Sequence, residues 1–402
     1  MQPKIDSYLL THPQLKLVTQ FGLQVRHVSE LNGSKHIYVY KNCTFNDQDG
    51  YGDIRTLRDA GFTYQADILN AVNSSKFTNA GAPELSLIAD GNQRLEALQL
   101  YLTATINFHR NNAGAALWGQ GAVWASLQFK KFVKHDHGFP IPYLVSLEHS
   151  VGKTSAFIAY AKSIGLSEES MGGNKTSESG FLDWVSTYSC LTYFIDDFNP
   201  RKCVNRKQDT WMDLFKQLFD AKTVHQHAKT RLILSGVVVS ANAEMPPDMP
   251  TQSRLLMLYF TKNDNSDLAS VKQWREQYAD TLEFVSCLVP DIVALQWKGD
   301  LDMRHINELE QLVIACAPDN IAYRVAQNMK KPMYYLVLTF KMASLSTDHY
   351  DLYIFDYMQT MIRQYNSTCS QVDAWSKFFY YLARTLEVHN RKSNKSDDSL
   401  DW

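Results

Sequence analysis

The chain has 402 residues, 45% of them hydrophobic and 20% charged, and a formal net charge of −2. That length accommodates two or three domains with a substantial core, and the balance is that of a soluble globular protein, which excludes the disordered and fibrous classes. The near-neutral charge excludes a global attraction to nucleic acid, so any such contact has to come from a local patch.

Six cysteines (Cys43, Cys190, Cys203, Cys287, Cys316, Cys369) show no C-x-x-C and no paired spacing. They read as reduced thiols of an intracellular protein rather than a disulfide or zinc framework. The stretch from Met1 to Asp6 is not a secretory signal, and no run approaches the ~20 apolar residues that span a bilayer. The expected location is the cytoplasm, or the nucleus in a eukaryotic host, with no membrane partner.

In chain order, residues 1–90 mix short strand-like runs, His36–Tyr40 and Leu85–Ala89, with turn-rich stretches, and predict a small α+β domain. The acidic run Asn46–Asp53 is spaced somewhat like a calcium loop. Its twelfth position counted from Asp47 is Arg58, where a bidentate Glu is needed, so a hairpin turn is predicted. Helical periodicity begins at Asn92 and runs to about His109, and a further helical segment covers Ala115–Val133. His135-Asp136-His137-Gly138 reads as a connecting loop, since two histidines without a third ligand make a poor metal site.

Residues 143–154 form an apolar run that breaks into Gly152-Lys153-Thr154, followed by a helical stretch, Ser155–Lys162. This is the layout of a phosphate-binding loop at the end of a buried strand: backbone N–H groups wrap a phosphate, Lys153 neutralises charge and the Thr154 hydroxyl ligates Mg²⁺. The positive end of the following helix points at the same anion. Ser150, Val151, Gly152, Lys153, Thr154 and Ser155 are therefore the candidate ATP-binding residues. The full G-x-x-x-x-G-K-[ST] pattern asks for Gly at 147, where this chain has Leu147.

A second buried strand, Cys190–Ile195, runs into Asp196-Asp197, with 43 positions between Lys153 and Asp196. Ligands of open α/β sheets sit at the carboxyl ends of strands, where both motifs project. Asp196 is the candidate Mg²⁺ ligand opposite Thr154, and Asp197 the candidate catalytic carboxylate that polarises the attacking water. Trp211–Phe219 is an amphipathic helix. Lys222, Thr223, His225, His227, Lys229 and Arg231 then put six donors within ten residues, a density that suits phosphate contacts as well as a solvated loop. A third apolar run, Leu232–Ala241, ends in Asn242. Arg254 stands at the entrance of a fourth, Leu255–Phe260. Taken singly, Asn242 reads as a turn cap and Arg254 as a surface ion pair.

Beyond residue 265, segments 268–288, 303–316, 319–330, 350–365 and 371–388 carry apolar residues at helical spacing and predict a helical domain. Phe378–Tyr381 reads as core packing rather than a base-stacking platform. The last stretch, from Asn390, is polar and of low complexity. The predicted division is 1–90, an α+β domain; 91–265, a phosphate-loop core; 266–389, a helical domain; and 390–402, a disordered tail.

The ordered set Lys153-Thr154, Asp196-Asp197, Ser240-Ala241-Asn242 and Arg254 resembles the ATPase core of the superfamily-three helicases. It is similar too to the primase-associated helicase domains of phages and mobile elements, within the AAA+ class. The resemblance covers roughly residues 115–262 and extends to Thr176–Leu182 ahead of the acidic strand. It implies an α/β fold, a P-loop NTPase core with a parallel sheet sandwiched by helices. It implies Asn242 as a catalytic residue at the γ-phosphate or its water, and Arg254 as a finger donated to a neighbouring subunit. It places a pore loop gripping DNA at Lys222, His225, His227 and Lys229. The implied activity is ATP- and Mg²⁺-dependent movement on single-stranded DNA by a homo-oligomeric ring, with a hexamer as one candidate size, in replication. Two rivals stand beside it: another P-loop ATPase, such as a packaging ATPase or a nucleotide kinase, and a degenerate nucleotide-binding scaffold without turnover. The 163–182 stretch holds no Arg for a kinase lid.

Overall fold

The computed structural model describes residues 10–11, 16–17, 21–27, 34–47, 49–60, 62–63, 82–146, 148, 151–167, 181–182, 185–186, 188–198, 206–226, 229–243, 249–263, 268–295, 303–316 and 323–367. Leu147, Ser150, His227, Thr176–Gly180, the 371–388 segment with Phe378–Tyr381, and the 390–402 tail lie outside the described residues. The architecture is mixed α/β, built on a four-stranded parallel sheet.

The amino-terminal part is an antiparallel arrangement of β1 (Phe21–His27), β2 (Ser34–Val39) and β3 (Thr44–Asn46). The turn joining β2 to β3 is residues 40–43, closed by the Tyr40 N–H on the Cys43 carbonyl. The expected turn at Asn46–Asp53 lies between Thr44 and Arg55, which form an antiparallel bridge with reciprocal backbone bonds, and it contains a 3-10 turn at Gly50–Asp53. One expectation is corrected here. Residues 85–89 are not a strand: the segment is held by single bonds such as the Ser86 N–H on Ser286 Oγ, with no ladder.

Helix α1 (Gly91–His109) starts under an Asp90 cap, whose carboxylate accepts from the Asn92 and Gln93 N–H groups. Helix α2 (Ala113–Ser126) has all fourteen residues buried, as a helix apolar on every face must be. Its small residues allow close approach: a Cβ at Gly121 would lie 2.6 Å from the carbonyl oxygen of Pro332 in a crossing helix. Helix α3 (Phe129–Asp136) absorbs His135 and Asp136, so the expected 135–138 loop is reduced to a left-handed cap at His137.

The central sheet is made by β4 (Ile141–Val145), β6 (Tyr193–Phe198), β9 (Val237–Ala241) and β10 (Leu255–Tyr259), in the order β10-β4-β9-β6. Every pairing is parallel. Helix α4 (Lys153–Ser163) follows β4, and a short strand β5 (Tyr188–Ser189) pairs with β1, so the amino-terminal sheet takes its fourth strand from the central segment. Helix α5 (Arg206–Phe219) precedes an antiparallel hairpin of β7 (Val224–Gln226) and β8 (Lys229–Arg231). The apolar run that begins at Leu232 becomes strand only from Val237, because residues 232–236 cross toward the sheet, where the Leu234 carbonyl takes the Cys190 N–H.

The rest is helical: α6 (Leu268–Leu282), a 3-10 turn (Val285–Leu288), α7 (Val289–Leu295), α8 (Met303–Cys316), α9 (Tyr323–Met342) and a further helical run over 347–367. No described helix is long and apolar enough to cross a membrane, and the described residues hold no metal-ligand cluster. Cys43, Cys190 and Cys287 are free and buried.

Four buried ions fasten α8 and α9 to α3. Lys330 Nζ lies 3.2 Å from Asp136 and 2.9 Å from Glu310, and Lys331 Nζ 3.0 Å from Asp136, all with side chains at most 5% exposed. Burial alone would raise the Asp136 pKa; Lys331, His135 and Lys330 together hold it below its ordinary value. Removing one partner strands a buried charge, which costs about 3–5 kcal/mol. Asp136→Asn should therefore lose about that much stability in chemical denaturation, and a loss under ~0.5 kcal/mol would contradict the cluster's role.

Candidate phosphate-binding site

The site forms where three parallel strands end. Gly152 adopts φ +86°, the left-handed region that favours glycine, and caps α4, with its carbonyl accepting the Ala156 N–H. Lys153 is the first residue of α4 and is 7% exposed. Its ammonium donates to the Ala241 carbonyl and, at 2.6 Å, to Asn242 Oδ1 just past the end of β9. Asn242 Nδ2 donates in turn to Asp197 Oδ1 at 2.6 Å. Lys153, Asn242 and Asp197, far apart in sequence, are thus one hydrogen-bonded chain. Burial lowers the Lys153 pKa, and Asp196 and Asp197 oppose that shift.

The two aspartates lie inside β6 rather than beyond its end. Val239 pairs with Ile195 but Ala241 pairs with Phe198, so Asp196 and Asp197 together face Ser240 in a bulge. Asp197 sits at φ +52°, and the Asp196 Oδ1 accepts its N–H at 2.9 Å. A bulge re-aims a side chain, and this one turns an exposed Asp197 toward Asn242. Apolar periodicity carries no signal for such a kink. Thr154 is exposed, Ser155 half-buried and Val151 buried.

The loop is braced by residues that sequence reasoning passed over. Asn112 Nδ2 donates to the Val151 carbonyl at 3.1 Å and to the Thr261 carbonyl at 2.8 Å, and Asn112 Oδ1 accepts the Thr261 N–H. Glu148 accepts the Lys262 N–H at 2.7 Å. His109, 1% exposed, lies under Gly152, and its Nε2 is 3.2 Å from the Tyr278 hydroxyl. The available signal was the break between two helical runs at His109–Asn112, where Arg110 takes φ +52°.

Arg254 is placed elsewhere. It stands at the amino end of β10, where its carbonyl accepts the Ile141 N–H. Five strand residues at ~3.3 Å each separate it from the carboxyl end, on the order of 16 Å, so it does not reach Lys153 of its own chain. Its guanidinium donates to the Pro250 carbonyl at 2.6 Å, lies 3.5 Å from Asp220 and sits 5.4 Å from the Phe219 ring centre. Among the expected nucleic-acid residues, Lys222 is exposed and pairs with Asp220 at 2.8 Å. His225 and Lys229 are on opposite strands of the hairpin, His225 facing Thr230 and Lys229 facing Gln226. Arg231 is 3% exposed, so it is a buried residue and not one of the solvent-facing donors expected of that stretch.

No family model and no curated protein sequence matches the chain. Among solved structures it is similar to that of SCCmec type IV Cch, an active helicase: TM-score 0.58, 11% identity, covering 94% of this chain and 67% of that one. The JCV helicase structure gives a TM-score of 0.30 at 12% identity, covering 55% of this chain and 65% of that one, a likeness too slight to argue from. At these identities the likeness to Cch is one of fold.

Burial holds the His109 imidazole neutral by lowering its pKa from 6.5 to about 3. Between those values the unfolded chain binds the extra proton, so stability falls as the pH drops from 6.5 toward 3, by up to about 1.4 kcal/mol per unit. Urea unfolding at pH 6.5 and 4.5 should show a smaller acid loss in His109→Phe than in the parent. Equal losses would contradict a buried neutral imidazole.

Proposed function

We propose that the chain is an ATP-hydrolysing motor of the helicase type that acts on DNA as an oligomeric ring. The observation that carries this reading is the convergence of Lys153, Asn242 and Asp197 at the carboxyl ends of adjacent parallel strands, beside the amino end of an eleven-residue helix. A buried ammonium, a left-handed glycine and a helix amino terminus suit a polyphosphate, and the paired carboxylates suit its metal. The fold likeness to an active helicase supports the same class.

In this reading Val151–Ser155 wrap the phosphates of ATP, and Lys153 leaves the Ala241 carbonyl for the β- and γ-oxygens. Thr154 and Asp196 would hold Mg²⁺, which would supply charge neutralisation at the phosphates. Asp197 orients the attacking water, with its carboxylate aligned by Asn242. Arg254, remote from its own loop, serves the site of a neighbouring subunit. Lys222, His225, His227 and Lys229 contact the DNA.

Mg·ATP turnover with and without single-stranded DNA tests the reading. Stimulation by DNA supports the motor, DNA-independent turnover indicates a different ATPase, and no turnover indicates a scaffold. Lys153→Ala should abolish nucleotide binding or turnover with the fold intact by circular dichroism; parent-level hydrolysis would overturn the phosphate-loop assignment. Asp197→Asn should keep ATP binding while turnover falls by orders of magnitude, and loss of binding would move the metal role onto Asp197.

Arg254→Ala should bind ATP with near-parent affinity yet lose ~10³-fold or more in turnover. Mixed with Lys153→Ala, it should regain partial activity through the complete interfaces of mixed rings. Normal hydrolysis by Arg254→Ala, or mixed rings without rescue, would return Arg254 to a structural ion pair with Asp220.

A further inference from the structure

Two guanidinium groups stand over one aromatic ring at the amino ends of the strands, away from Lys153. Phe219, the last residue of α5, is 5% exposed, and Gly138 packs against its ring with no room for a Cβ. The Arg254 guanidinium lies 5.4 Å from the ring centre, and that of Arg324, the second residue of α9, lies 6.0 Å from it. Arg324 is exposed, and its Nη1 donates to a neutral partner, Ser253 Oγ, at 3.0 Å. The same hydroxyl donates to the Pro250 carbonyl, which also takes Arg254 Nη1.

Counter-charge is short here. Lys222 Nζ lies 2.8 Å from one oxygen of Asp220, and Arg254 Nη2 lies 3.5 Å from the other. Lys222, Arg254 and Arg324 thus have one paired carboxylate among the described residues. Like charges gathered this closely repel unless an anion joins them. Arg254 also has donors to spare. Its Nη1 bonds the Pro250 carbonyl at 2.6 Å, while its Nε is buried with no hydrogen-bond partner among the described residues. A buried donor left unpaired costs free energy that a ligand can recover. A phosphate group offers more acceptor oxygens than a carboxylate and matches the guanidinium fork bidentately.

We propose that Arg254 and Arg324 form a second phosphate site, in which a phosphate group of another molecule bridges the two guanidiniums with Lys222 at its rim. Ser253 and Phe219 set where the two side chains stand. Arg254 does not reach the loop of its own chain, so the phosphate is not that of its own nucleotide. It belongs to the nucleotide of a neighbouring subunit or to the DNA backbone, and that source, unlike the site, rests on the motor reading.

Pyrophosphate is the probe, and Lys153→Ala is the background, so that the loop of the same chain does not contribute. Thermal unfolding of the full chain is followed with sodium pyrophosphate replacing sodium chloride at equal ionic strength. The Tm should rise with pyrophosphate, and adding Arg324→Ala should cut that rise by about half or more without lowering the Tm in chloride. Equal rises with and without Arg324→Ala overturn the proposal, since general exclusion of the salt from the surface acts on both chains alike. Should Arg324→Ala lower the Tm in chloride, Arg324→Gln, which keeps a donor for Ser253, decides by the same comparison. Arg324→Ala in the chain with Lys153 intact then names the source. A DNA phosphate predicts oligo-dT binding weakened about threefold or more, with the slope of log Kd against log salt flattened by about 0.7. A nucleotide phosphate predicts a DNA-free kcat about tenfold or more lower at unchanged Mg·ATP Kd, restored in part on mixing with Lys153→Ala. If the parent is active in both assays and the variant loses neither, the proposal is overturned. A parent that neither binds oligo-dT nor hydrolyses Mg·ATP overturns the motor reading instead, and the pyrophosphate comparison then judges the site alone.

Discussion

Placing an ammonium among strand ends is unfavourable unless it finds acceptors and a counter-charge stands near. Lys153 meets that demand through the Ala241 carbonyl, Asn242 Oδ1 and the two carboxylates beyond. The requirement ties the loop after β4 to the ends of β9 and β6, and the sheet order β10-β4-β9-β6 sets those three ends side by side. Had β9 been at an edge, Asn242 could not link Lys153 to Asp197.

Around this contact stand buried, closely packed elements. The all-buried α2 lies against α9 through Gly121, and the Asp136–Lys330–Lys331–Glu310 cluster binds the carboxyl-terminal helices to α3. His109, the last residue of α1, and Asn112, just before α2, both lie against the loop. The loop is thus braced by side chains from outside the sheet, while Lys153 is held by the strand ends.

Much of this was legible in the sequence, for identifiable reasons. Strands buried on both faces read as continuous apolar runs, which located β4, β6, β9 and β10, and Gly152-Lys153-Thr154 marked the turn into α4. What escaped depended on tertiary pairing. The bulge at Asp196-Asp197 comes from the register of β6 against β9, and no periodicity reports it. Asp136 reads as a loop residue until Lys330 and Lys331, far along the chain, are seen beside it. The 85–89 run is apolar enough for a strand yet has no ladder partner. His109 looked like the last residue of a helix because its significance lies in what it faces.

The central claim is that the Lys153 contact is the resting arrangement of a phosphate-binding site. A crystal structure of the chain with Mg·ADP tests it most directly. The account predicts the β-phosphate against the Val151–Ser155 backbone, with Lys153 Nζ moved off the Ala241 carbonyl onto a phosphate oxygen. Nucleotide bound elsewhere, or a Lys153 that keeps its bonds to Ala241 and Asn242 with nucleotide present, would contradict it.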